Sequence, residues 1–77
     1  MILTGDKLDE IGRAVWGAHW PSILAARLER SRWTLFDWRK RPTGHPKAVK
    51  RALLKATEDQ LAIVAAYVEE LREDVGT

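Results

Sequence analysis

Seventy-seven residues allow one domain and no more, and the absence of cysteine excludes disulfides and thiolate metal sites. A chain this short buries only about 60% of the surface its unfolded form exposes, so a modest helical core extended by self-association is expected. The formal charge of +2 hides an asymmetry: residues 1–56 carry twelve Lys and Arg against five acids, whereas residues 57–77 carry one Arg against six acids. Basic segments attract polyanions and acidic ones repel them, which places any polyanion-facing surface in the first three-quarters of the chain.

No apolar run approaches the roughly 18 residues of a membrane span. The opening Met1-Ile2-Leu3-Thr4-Gly5-Asp6 lacks the basic and long apolar regions of a signal peptide, so a cytoplasmic location is the default expectation.

Pro and Gly punctuate the chain into about five helical stretches, with no alternating run that suggests a strand. The first helix is expected over Lys7 to Trp16 with Thr4 or Asp6 as N-cap, Leu8, Ile11 and Val15 inward, and Gly17 at its end. Pro21 suits the first turn of a second helix that runs to about Leu28, with Leu24, Ala25 and Leu28 on one face. Ser31 is the natural N-cap of a third, Arg32 to about Lys40, whose inward face carries Leu35 and Trp38.

The cluster Pro42-Thr43-Gly44-His45-Pro46 must stop that helix. A fourth is expected from about Pro46 to Lys55 with Val49, Leu53 and Leu54 inward and Lys47, Lys50, Arg51 and Lys55 on the other face. Thr57 with Gln60 resembles a capping box and predicts a fifth, longest helix to about Val75. Leu61, Val64, Val68, Leu71 and Val75 recur along it at alternating spacings of three and four, with Ile63 and Tyr67 beside them. Such a helix can cover its own domain and still meet a partner, so these five positions are the candidate dimerisation stripe. The whole is therefore predicted to be an all-α bundle of about five helices, with a functional domain in residues 1–56 and a C-terminal helix in residues 57–77.

Catalytic constellations are missing. His19 and His45 are not at the i, i+4 spacing of a helical metal pair, Asp9-Glu10 and Glu69-Glu70 are explained by solvated helix surface, and no glycine-rich phosphate loop exists. Neither an enzyme nor a cofactor, metal or small-molecule ligand is expected.

Residues 20–38 carry the functional reading. Leu24, Ala25 and Leu28 are followed, after a short gap, by Ser31, Thr34, Leu35 and Trp38. Two short helices crossing at a wide angle need a small residue where they approach, which Ala25 supplies, and a cap to start the second one, which Ser31 supplies. This stretch resembles the helix-turn-helix of phage repressors and Cro-like regulators, with Trp20, Ser22, Leu24, Ala25, Leu28, Ser31, Thr34 and Trp38 at matching positions. The chain departs from that pattern at Pro21, where the family has glutamine, at Glu29, where the turn usually has glycine, and at Arg30, where an aliphatic is usual. A left-handed Glu29 would cost roughly 1 kcal/mol more than glycine.

The resemblance implies that residues 21–40 are a DNA-binding motif whose third helix enters the major groove of double-stranded DNA. Ser22 and Ser31 then mark the helix starts near the backbone, and Arg32, Trp33, Phe36, Asp37 and Lys40 face outward. Arg32 is suited to guanine, Trp33 or Phe36 to a thymine methyl, and Asp37 to a cytosine amine. Arg39, Arg41, Lys47, Lys50 and Arg51 are suited to phosphates. The function this implies is a sequence-specific transcriptional regulator, a repressor acting as a homodimer on a palindromic operator. Two other readings stand beside it: a different DNA-binding role, in packaging, as an antitoxin or in recombination, or a protein-interaction module gripping its partner through Trp33, Phe36 and Asp37.

Overall fold

The computed structural model describes residues 1–76, and these form four helices and no strand: α1 (Gly5–Trp16), α2 (Trp20–Arg27), α3 (Arg32–Lys40) and α4 (Lys47–Gly76). Each start and stop has a local cause. Thr4 caps α1, its hydroxyl accepting from the Lys7 amide at 3.2 Å. Gly17 ends it at φ 87°, a conformation that favours glycine, while its N–H donates to the Arg13 carbonyl. Ser31 caps α3 by accepting from the Thr34 amide at 3.3 Å. Arg41 is extended because it precedes Pro42, and α3 stops there.

The turn between α2 and α3 is closed by two backbone bonds. The Arg30 N–H donates to the Ala25 carbonyl at 2.9 Å and the Glu29 N–H to the Ala26 carbonyl at 3.3 Å. This is the Schellman arrangement, which requires a left-handed residue, and Glu29 takes that role at φ 54°. A glutamate there bears a steric cost that glycine does not. Replacing Glu29 with Gly is therefore expected to stabilise the fold by about 1 kcal/mol and to raise the thermal midpoint by roughly 5 °C, readable by circular dichroism.

Leu3, Leu8, Trp20, Leu24, Ala25 and Leu35 form the buried centre, joined from α4 by Leu53 and Ala56. Helices α1, α2 and α3 pack on one another, and Ala25 lies buried in the core. The N-terminal segment lies along the 41–45 loop: the Gly5 N–H donates to the Arg41 carbonyl and the His45 N–H to the Leu3 carbonyl, both at 2.8 Å.

Three expectations need correction. There are four helices among the described residues, not about five, because the expected fourth and fifth are parts of one unbroken helix that starts at Lys47. Thr57 is no cap; its hydroxyl donates back to the Leu53 carbonyl at 2.8 Å within α4, and Gln60 accepts from Arg27 rather than from a helix start. No Gly or Pro lies between residues 47 and 75 to interrupt the ladder. Second, Leu54 does not face inward; it is exposed beside the buried Leu53.

Third, Asp9 is more than solvated surface. It accepts from Arg13 Nε and from Trp20 Nε1, each at 2.9 Å, fastening α2 to α1. The Arg13 bond first, then the Trp20 bond, hold the Asp9 carboxyl below its ordinary value. The folded state thus binds this proton less tightly than the unfolded state, so the contribution is present above the unfolded pKa and lost as pH falls through the depressed folded value. Asp9→Asn should lower the denaturation midpoint at pH 7, and the gap to the wild type should close as pH drops below about 4.

At about 1.5 Å per residue α4 is some 45 Å long, which accounts for the 49 Å long axis of the molecule. Its first half covers the domain. From Leu61 to Gly76 every residue is exposed. The radius of gyration, 14.6 Å, exceeds the roughly 11–12 Å of a compact chain of this length, because this half of the helix stands away from the core. Among the described residues no helix is long and apolar enough to cross a membrane.

Candidate nucleic-acid interface

The outer surface of α3 is built from its cap upward. Ser31, itself exposed, fixes the start of the helix through Thr34, whose hydroxyl lies 3.1 Å from the serine oxygen. Leu35 is fully buried beneath and Trp38 is half-buried. With those two inward, Arg32, Trp33, Asp37 and Lys40 emerge exposed, and Phe36 and Arg39 are half-buried at the margin. Of the outward set expected from the amphipathic spacing, Arg32, Trp33, Asp37 and Lys40 are exposed, whereas Phe36 is half-buried.

Trp33 is 78% exposed. Its ring meets Phe36 edge-on at 6.2 Å, and the Arg39 guanidinium lies 5.2 Å from the Phe36 ring centre. Trp33, Phe36 and Arg39 thus form a row along α3. Such a row orders an apolar ridge beside a fixed positive charge. Arg39 also borders a shallow hollow with Asp6, Asp9, Arg13 and Lys40, so part of its field falls on the acids of α1.

The remaining cations are spread more widely. Arg41 is exposed just past α3, its Nε donating to the Thr43 hydroxyl at 3.3 Å. Lys47 and Arg51 are exposed on the opening turns of α4. Lys50 is half-buried, and its Nζ donates to the Met1 carbonyl at 2.6 Å, so it is turned to the N-terminal segment. Ser22 is exposed at the start of α2. The structure therefore gathers Arg32, Trp33, Phe36, Asp37, Arg39 and Lys40 on one helix, with Arg41 at its end, whereas Lys50 serves a separate junction.

His45 was not singled out by sequence pattern, yet it sets the far end of α3. It is buried; its Nε2 donates to the Trp38 carbonyl at 2.8 Å and its ring packs edge-on against Trp38. Together with its N–H bond to Leu3, the imidazole ties the last turn of α3 to the N-terminal segment. Its partners are backbone carbonyls, which no side-chain spacing reveals.

The chain matches no protein-family model, no curated protein and no solved structure. Any functional reading rests on the geometry of α3 and on the charge of the chain.

Proposed function

We propose that this protein is a sequence-specific DNA-binding regulator of the helix-turn-helix kind, acting as a homodimer and repressing by occlusion of the promoter. The observation that carries the reading is the surface of α3: a short, capped helix backed by Leu35 and Ala25 that presents Arg32, Trp33, Asp37 and Lys40 to solvent. In a major groove, Arg32 has the donors for a guanine edge, Trp33 and Phe36 have apolar surface for a thymine methyl, and Asp37 accepts from a cytosine amine. Arg39, Lys40 and Arg41 follow at the helix end, where phosphates flank an inserted helix. A cytoplasmic location accompanies this reading.

The degree of exposure of Trp33 favours one second reading: an apolar ridge is also what a protein partner would cover. Selection of bound sequences from random duplex DNA, with sizing of the complex, separates the two. A regulator enriches a palindromic site. Absence of any enriched sequence, together with no salt-dependent retardation at about 100 mM salt, would overturn the DNA reading.

A further inference from the structure

The outer half of α4 exposes Leu61, Val64, Val68, Leu71 and Val75 with nothing of its own domain beneath them. The helix is straight in pattern: the face that carries Leu53 and Val49 onto the core in its first half continues, in phase, through Val64 and Leu71 in its second. Tyr67 and Ile63 widen it, and they too are exposed. Together the exposed apolar residues present on the order of 700 Å², more than the 300–600 Å² of the largest patch on a typical monomer and close to the ~800 Å² each partner gives a stable interface.

We propose that this face is covered by the same face of a second copy, the two helices running antiparallel about a two-fold axis level with Ala66. The inference rests on the homodimer part of the reading above and not on its DNA part. Three observations support a second copy as the occupant: the first shows that an antiparallel seam is size-matched, and the other two favour that direction over the parallel one.

The first is size matching. Residues 61, 68 and 75 and residues 57, 64 and 71 occupy the two seam positions of a 3.5-residue repeat. Antiparallel pairing then sets Leu61 against Leu71 of the second copy and Val64 against its Val68. Like meets like in every central layer.

The second is charge. Residues 61–68 hold no charged side chain, whereas residues 69–76 hold four acids and one Arg. Parallel pairing brings two acidic ends together; antiparallel pairing keeps them apart. It also brings Arg72, exposed beside Glu69, next to Glu58 of the second copy on the flank of the seam.

The third is the groove at the foot of the exposed half. Leu3, Ile11, Leu53, Leu54 and Thr57 line an apolar cavity of about 200 Å³. In the same register Val75 of the second copy lies level with Thr57, so the end of its helix reaches this cavity. The resulting distance along the helices between the two Leu53 residues is about 39 Å, comparable to one DNA turn of about 34 Å.

The native chain has no cysteine, so single introduced thiols report direction cleanly. Chains carrying Leu61→Cys mixed with chains carrying Leu71→Cys should form a mixed disulfide on mild oxidation. Leu61→Cys alone should not cross-link, since its two copies lie about 15 Å apart, beyond disulfide reach. Val64→Glu should weaken the dimer at least 100-fold by sedimentation while circular dichroism stays helical. Cross-linking of Leu61→Cys to itself would overturn the antiparallel arrangement and leave the dimer standing. A native chain that sediments as a monomer at tens of micromolar would overturn the dimer. Neither result bears on the DNA reading, which the retardation assay tests independently.

Discussion

Adding one methyl group at Gly5 is expected to remove about a quarter or more of the stability of the fold. A Cβ built there overlaps the Arg39 carbonyl oxygen and comes within 2.6 Å of the Arg39 carbonyl carbon and 2.8 Å of the Arg41 oxygen. All three are backbone atoms at the end of α3, and the Gly5 N–H is itself bonded to the Arg41 carbonyl. No rotamer can yield; α1 must separate from α3. Overpacking of this kind costs roughly 3 kcal/mol or more, against a total of about 4–12 kcal/mol for a domain of this length. Gly5→Ala should lower the thermal midpoint by at least about 12 °C. Gly12→Ala should follow closely, because its Cβ would enter the ring of Trp20, which is fully buried and held by Asp9. Gly44→Ala is the control: there the added carbon meets only the Ile2 Cγ2 at 2.9 Å, the end of an exposed side chain that can turn away. An unaltered midpoint in Gly5→Ala would mean that α1 and α3 do not approach as closely as described.

The same two helices show which features a sequence carries. The bounds of α3 follow from Ser31 and Pro42, because capping and the restriction before proline act within a few residues. Leu24, Ala25 and Leu35 follow from periodicity, since one helical face meets one core. The left-handed conformation of Glu29 entered only as a condition, through the glycine usual there in the family the stretch resembles, and the two bonds that close the turn account for it. The continuity of α4 was not anticipated. Thr57 and Gln60 have the spacing of a cap, but a cap is used only where the chain bends, and here α1–α3 leave α4 no reason to bend. Leu53 and Leu54 are adjacent and chemically alike, so only packing decides which is buried. The bonds of Asp9 to Trp20 and of His45 to Trp38 join residues eleven and seven apart on different elements. Periodicity records which residues share a face of one helix, so a bond between separate elements left no mark in the pattern.

If α3 lies in a major groove, removing exposed cations near its end should change the salt dependence of binding more than its sequence preference. Lys40, Arg41 and Lys47 are exposed and clear of the core, so their joint replacement by Ala should leave the fold intact. Arg39 is left in place because it is half-buried and packs over Phe36, so its loss would mix structural and electrostatic effects. Each phosphate contact contributes about 0.9 to the slope of log affinity against log salt. The triple variant should lose between about 2 and 3 from that slope and bind roughly 100-fold more weakly near 100 mM salt, almost equally at all sequences. Arg32→Ala should behave differently. Losing a two-bond contact to guanine costs about 1–3 kcal/mol at one base position while the slope changes by no more than about one unit. The contrast between a sequence-blind loss and a position-specific one separates a helix seated in a groove from a basic face that merely collects polyanions. A triple variant with an unchanged slope would move the phosphate contacts away from the end of α3, and the exposed Trp33 ridge would then be better explained by a protein partner.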